Sequence, residues 1–277
     1  MTSAPIGVFD SGYGGLTILS EIRKRLPQYD YIYLGDNARS PYGTRSFDVI
    51  RGFTHEAVEY LFSEGCPLVI LACNTASAKA LRELQQHYLP YTSDPTRRIL
   101  GIIRPTVEAI SSFTQTGHVG VVATPGTVSS GSYTAEVGKL FPEVRVSEQA
   151  CPMWVPLVEY GESQGDGADY FVRKYIAELM AKDPEIDTVL LACTHYPLLR
   201  SKIKEALPPS VSLIAQGELV ATSLADYLLR HPEMKQRLSR GGQVSYRTTE
   251  CPEKFEELAS IFMGTNVDAI RVKIDKG

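Results

Sequence analysis

Short apolar runs alternate with longer amphipathic stretches along almost the whole chain. PIGVFD at 5–10, YIYLG at 31–35, PLVILA at 67–72 and ILGII at 99–103 read as strands. So do HVGVVA at 118–123, EVRVSE at 143–148, TVLLA at 188–192, VSLIA at 211–215, QVSYRTT at 243–249 and AIRVKI at 269–274. Between them the spacing predicts helices. One runs over 16–26, ended by Pro27. A second runs over 46–64, with Ile50, Phe53, Ala57 and Leu61 on one stripe and Ser46 or Thr44 as cap. Further helices are expected over 75–88, from Pro105, and over 129–140, 168–181, 198–207, 218–230 and 252–262. Near-continuous apolar strands are covered on both faces, and strands alternating with helices form parallel sheets. The expected class is α/β, doubly wound.

The pattern also repeats. IGVFDSG at 6–12 resembles VGVVATPG at 119–126, and LVILACNT at 68–75 resembles TVLLACTH at 188–195. The order of features is preserved, so two related α/β units are expected. The polar stretch YTSDPTRR at 91–98 marks the seam, and the chain returns to the first unit after Pro208-Pro209. That assigns 1–97 plus 211–277 to one domain and 98–210 to the other.

Composition narrows the function. The 277 residues are 43% hydrophobic and 22% charged, with a net charge of −4 and no basic cluster. A nucleic-acid groove, which needs clustered Lys and Arg, is not expected. Neither is a membrane span. MTSAPIGVFD lacks the features of a signal peptide, so a cytoplasmic location is expected. Five cysteines without a CxxC pair read as free thiols in a reducing compartment.

Cys73 and Cys193 each fall one residue past a predicted strand and just before a predicted helix. In open α/β sheets, ligands sit at that end of the strands. Helix N-termini there bind carboxylates and lower thiol pKa values. Asn74, Thr75 and Thr194 add donors for the same anion. A single buried cysteine is more often a small hydrophobe. Two at matching places in matching units point instead to two thiols facing one atom, one removing a proton and the other delivering one. Asp10 ends the first strand, where it caps the next helix or acts on Cys73, whose strand should be adjacent. His195, beside Cys193, is placed as a base partner. Glu159 reads as a surface loop carboxylate. Cys66, Cys151 and Cys251 are assigned no chemistry. DSGYGG matches no nucleotide-binding pattern; its glycines read as a close approach of backbone to a small ligand, with Tyr42-Gly43 over the same sheet edge.

VFDSGYGGLT at 8–17, PYG at 41–43, ACNTASA at 72–78 and ACTHYP at 192–197 resemble the signatures of the cofactor-independent glutamate racemases, of the aspartate/glutamate racemase superfamily. The resemblance runs from Ile6 to about Leu229. It implies two α/β domains related by pseudo-twofold symmetry with the active site between them. It also implies interconversion of L- and D-glutamate without cofactor or metal, supplying D-glutamate for peptidoglycan. By motif, Cys73 and Cys193 would be the acid/base pair, Asp10 would assist Cys73, and His195 would assist Cys193. Glu159 matches a carboxylate of that neighbourhood. Asp10, Ser11, Tyr42, Gly43, Asn74, Thr75, Thr194 and His195 would contact substrate, with Thr124 and Thr127 from the matching loop of the second unit. A homodimer is the assembly to test. AQGE at 215–218 departs from the Asp-Ser pair of many relatives. Rival readings are an aspartate or other amino-acid racemase, a pyridoxal enzyme using Lys79, a metal site, and a non-catalytic small-molecule binding module.

Overall fold

The computed structural model describes residues 3–274. Among the described residues, ten strands form two wholly parallel sheets. The first sheet contains β1 (Ile6–Asp10), β2 (Tyr31–Gly35), β3 (Leu68–Leu71) and β4 (Arg98–Gly101). The second contains β5 (His118–Ala123), β6 (Arg145–Ala150), β7 (Thr188–Ala192) and β8 (Ser212–Ala215). The chain then returns to the first sheet with β9 (Val244–Thr248) and β10 (Ala269–Arg271). Strand order is β10-β9-β2-β1-β3-β4 in one and β6-β5-β7-β8 in the other. Removing β9 and β10 leaves two four-stranded units of the same order, which is the repeat seen in the sequence.

The register repeats as well. Gly7 pairs with Val69 in the first sheet, and Gly120 with Val189 in the second. A Cβ on Gly7 would lie 3.1 Å from Leu61, and one on Gly120 would lie 2.8 Å from Leu179. Each glycine lets the long helix of its own unit, Phe47–Ser63 or Asp166–Lys182, press onto the sheet. Helices cover both faces of each sheet, giving four apolar clusters. β1, β3, β5 and β7 are the near-continuously apolar runs, because each is interior and covered on both sides.

The division between units differs from the expected one. β4 pairs with β3 from Leu68↔Arg98 to Leu71↔Gly101, so the crossover follows residue 101. β8 pairs with β7, so the return follows residue 215. YTSDPTRR and Pro208-Pro209 are turns inside a unit, each feeding its last strand. The expected helix over 129–140 is two, Pro125–Ser130 and Ser132–Leu140, broken at Gly131 with φ +60°. Among the described residues, no helix is long and apolar enough to cross a membrane.

Candidate active site

The two thiols sit at equivalent strand ends but in different local structure. Cys73 follows β3 as N-cap of the helix Asn74–Glu83. Its Sγ accepts from the Ala76 amide at 3.5 Å, and its thiol donates to Ser11 Oγ at 3.5 Å. The dipoles of that ten-residue helix therefore end on Cys73. Cys193 follows β7, but the helix predicted next to it begins only at Arg200, after a 3₁₀ turn over Tyr196–Leu199. In place of a helix end it has His195, whose Nδ1 lies 3.9 Å from Cys193 Sγ.

Both thiols are 6% exposed and line one cavity of about 60 Å³. Ser11, Tyr42, Gly43, Asn74, Thr75, Thr124, Thr194 and His195 line it too. Asp10, Thr127 and Glu159 stand one contact behind it. Thr194 donates to Asp10 Oδ2 at 3.4 Å, Thr127 lies 3.3 Å from Thr75 Oγ1, and Glu159 Oε1 is 3.0 Å from His195 Nε2. Thr75 and Thr124 meet across the units at 3.0 Å.

The SGYGG loop explains itself here. A Cβ on Gly14 would lie 2.2 Å from Thr194 Oγ1 and 2.5 Å from His195 Nδ1. Only glycine lets the first unit approach the second this closely.

Three expected contacts differ. Glu159 is no surface carboxylate: it ends the short helix Trp154–Glu159 and turns onto His195, its side chain 18% exposed. Asp10 reaches the Gly12 amide (2.8 Å) and the Thr194 hydroxyl rather than the Cys73 thiol, although β1 and β3 are adjacent as expected. The Tyr42 hydroxyl is committed to the buried Asp36 at 2.5 Å, so only the rest of Tyr42 is available to a ligand.

The sequence reading missed several neighbours. Asp36 also accepts from Arg39 (2.7 Å) and Thr249 (2.9 Å), anchoring the loop that carries Tyr42-Gly43. Phe262, on the last helix, packs edge-on against the His195 ring at 5.6 Å. Cys151, Pro152, Val155 and Pro156 form an apolar wall of the cavity. A carboxylate one residue past a strand, as at Asp36, was the one legible signal.

Electrostatics separate the two thiols. Burial, and then the nearby Asp10 charge, push the Cys73 thiol up to about 12, against the Ser11 and Ala76 bonds. Burial raises Asp10 above the usual carboxylate range, tempered by His195 and the Gly12 and Gly15 amides. Burial opposes a charge on His195, but its bonds to Cys193 and Glu159 outweigh this and raise it to about 10. His195 is thus held as the imidazolium at neutral pH. Lys79 lies outside the cavity lining, its ammonium 5.9 Å from the Phe47 ring. Among the described residues no group of three or more His, Cys, Asp or Glu is arranged to hold a metal ion.

The chain is 41% identical over 268 residues to the glutamate racemase of Paracoccus denitrificans, covering 93% of this chain and 96% of that one. Its backbone superposes on a glutamate racemase isoform of Bacillus anthracis with TM-score 0.88 at 34% identity, covering 99% and 98% of the two chains. It superposes on the Francisella tularensis glutamate racemase, solved with D-glutamate, with TM-score 0.87 at 30% identity over the whole of both chains. The profile of the Asp/Glu/hydantoin racemase family matches residues 16–224, and the chain belongs to that family.

Proposed function

We propose that the protein interconverts L- and D-glutamate by moving the α-proton between Cys73 and Cys193. The observation that carries this reading is the pair of buried thiols, one from each unit, on a single small cavity. One thiolate takes the α-proton from one face. The opposite thiol donates its own proton to the other face, so the number of protons is unchanged and the configuration inverts.

The α-proton of an amino acid is a very weak acid, so the site must stabilise the carbanion-like transition state. Donors fixed before the reaction do this most effectively in a dry cavity. Ser11 and Asn74 supply side-chain donors, with Thr75 beside them, and the helix Asn74–Glu83 supplies its N-terminus. The two thiols have different surroundings. Cys73 is kept protonated, while Cys193 lies beside the His195 imidazolium. After one turnover the two have exchanged protons, and either the opposite enantiomer or solvent resets them.

A glutamate has ten non-hydrogen atoms, more than the cavity admits as it stands. Entry therefore requires the units to part, and binding closes them, which excludes water from the carbanion. Similarity to glutamate racemases over nearly the whole chain favours glutamate over aspartate as substrate. The same similarity supports a cytoplasmic role in making D-glutamate for peptidoglycan, and light scattering tests the homodimer.

The deciding experiment incubates purified protein with L-glutamate in D₂O without added pyridoxal phosphate or metal, and with L-aspartate in parallel. Loss of circular dichroism together with α-deuteration of glutamate is expected. Unchanged ellipticity and no deuterium overturn the proposal.

A further inference from the structure

Behind the cavity lies a closed ring of polar side chains that joins the two units. Gln216, which follows β8 and precedes the helix Gly217–Arg230, is 3% exposed; Asn74 is 2% exposed, and Tyr133 and Thr106 are fully buried. Gln216 Nε2 donates to Thr106 Oγ1 at 2.9 Å and to the Tyr133 hydroxyl at 2.8 Å. Gln216 Oε1 accepts from Asn74 Nδ2 at 2.6 Å, and Tyr133 donates to Asn74 Oδ1 at 2.6 Å.

The sense of the ring is fixed from one end. Thr106 donates its only proton to the Ile102 carbonyl at 2.7 Å, so it can only accept from Gln216. That places the Gln216 amide nitrogen toward Thr106 and Tyr133, and its oxygen toward Asn74. Asn74 must then present nitrogen to Gln216 and oxygen to Tyr133. Both Gln216 N–H groups and one N–H of Asn74 are committed. The second Asn74 N–H is left, on a residue that lines the cavity beside Cys73.

We propose that Gln216 is a positioning residue for the reaction: through the ring it holds the Asn74 carboxamide in one orientation, keeping one N–H for the substrate. The inference rests on the racemase reading. Without Gln216 the Asn74 amide can flip and offer an acceptor oxygen where a donor is needed. The same ring ties Asn74, in the first unit, to Thr106, Tyr133 and Gln216, which lie in or border the second. The orientation of Asn74 is therefore coupled to how the units are set against each other.

The test uses Gln216→Glu, Gln216→Met and Tyr133→Phe in the full chain. Gln216→Glu keeps the shape but cannot donate, so the new carboxylate takes the Tyr133 proton and strips Asn74 Oδ1 of its donor. A buried polar group left unpartnered makes a loss of about tenfold or more in kcat/KM the expectation for Gln216→Glu and Gln216→Met, with a smaller loss for Tyr133→Phe. The discriminating readout is the same set of changes made in Asn74→Ala. If Gln216 acts through Asn74, Gln216→Met costs no further activity there, to within about twofold. The D-glutamate dissociation constant, by calorimetry, is read in the same cycle, so a slow Asn74→Ala enzyme does not close the test. Wild-type kcat/KM in the Gln216 variants, or losses that multiply fully with Asn74→Ala, overturn the inference. If Gln216→Met fails to fold, Tyr133→Phe carries the same cycle. A wild type that racemises neither enantiomer is a different result and removes the racemase reading with it.

Discussion

The Cys73 and Cys193 sides of the cavity share one framework and differ in chemistry. Strand order and register match, Gly7 with Gly120 and Cys73 with Cys193. The aligned repeats show where the match stops. Asp10 of the first unit stands opposite Ala123 of the second, and His195 of the second stands opposite Thr75 of the first. One thiol therefore sits on a helix N-terminus near a buried carboxyl, and the other beside an imidazolium backed by Glu159. Duplication of the fold aims two thiols at one cavity. The proton inventory around each differs, as the proposed removal of a proton on one side and supply of one on the other would require.

The strongest break in this comparison removes either sulfur. Cys73→Ala and Cys193→Ala should each reduce racemisation by at least about 10³-fold, within the range that a positioned acid or base contributes. Each variant should still exchange the α-proton of one enantiomer with D₂O, and the two should favour opposite enantiomers. α-Proton exchange followed by NMR decides this. Both variants exchanging the same enantiomer would remove the opposed arrangement.

Replacing a partner instead of a thiol sharpens the difference. His195→Asn should lower kcat by about 10²-fold. L- and D-glutamate have equal free energies in water, so kcat/KM must stay equal in the two directions for any variant. The asymmetry has to appear elsewhere. Whichever α-deuterated enantiomer Cys193 deprotonates should show the larger isotope effect in His195→Asn, because that transfer has become the slower one. Equal isotope effects for both enantiomers would mean that His195 does not serve one side.

Glu159→Gln keeps the shape beside His195 and removes only the charge. A fall in kcat of about tenfold is expected, the size of losing one hydrogen bond between charged groups, about 1.5 kcal/mol. Stability against pH gives an independent reading. His195 binds its proton up to about 10 in the folded chain and to 6.5 when unfolded. Its contribution is therefore complete below about 6.5 and is lost as pH rises through about 10. The wild-type melting temperature should fall over that window more steeply than that of Glu159→Gln. Parallel curves would show that Glu159 does not hold the proton on His195.

The repeat, the parallel sheets and the strand-end thiols were legible because each depends on local pattern. Apolar runs of four to six residues mark interior strands, and the residue after such a run is placed by the topology. Glu159 was not legible, because WVPLVE is a six-residue helix interrupted by proline and carries too few positions for a period. Asp10 was placed correctly at its strand end, but its partner is Thr194 from the other unit, a contact that no sequence spacing specifies. The seam was misplaced for a similar reason. A polar turn before a unit's last strand looks the same as a turn between units, and only the pairing of Arg98 with Leu68 tells them apart. Phe262 and Thr249 come from the C-terminal stretch, where no repeat guided the reading.

The smallest expected effect concerns what the two sides share. Thr75, beside Cys73, and Thr124, in the second unit, are 3.0 Å apart, with Thr127 bonded to both. These hydroxyls close the cavity between the units without touching either sulfur's proton partners. Thr124→Val keeps the volume and removes one hydroxyl, leaving Thr75 and Thr127 bonded to each other at 3.3 Å. A net hydrogen bond of about 1 kcal/mol corresponds to roughly fivefold. KM should therefore rise about fivefold for both enantiomers, with kcat within about twofold of wild type. A change confined to closure raises KM for L- and D-glutamate together, because both enter the same closed form. A selective rise for one enantiomer would place the hydroxyl with one thiol rather than with the frame, and would extend the chemical asymmetry into the loops that the repeat makes alike.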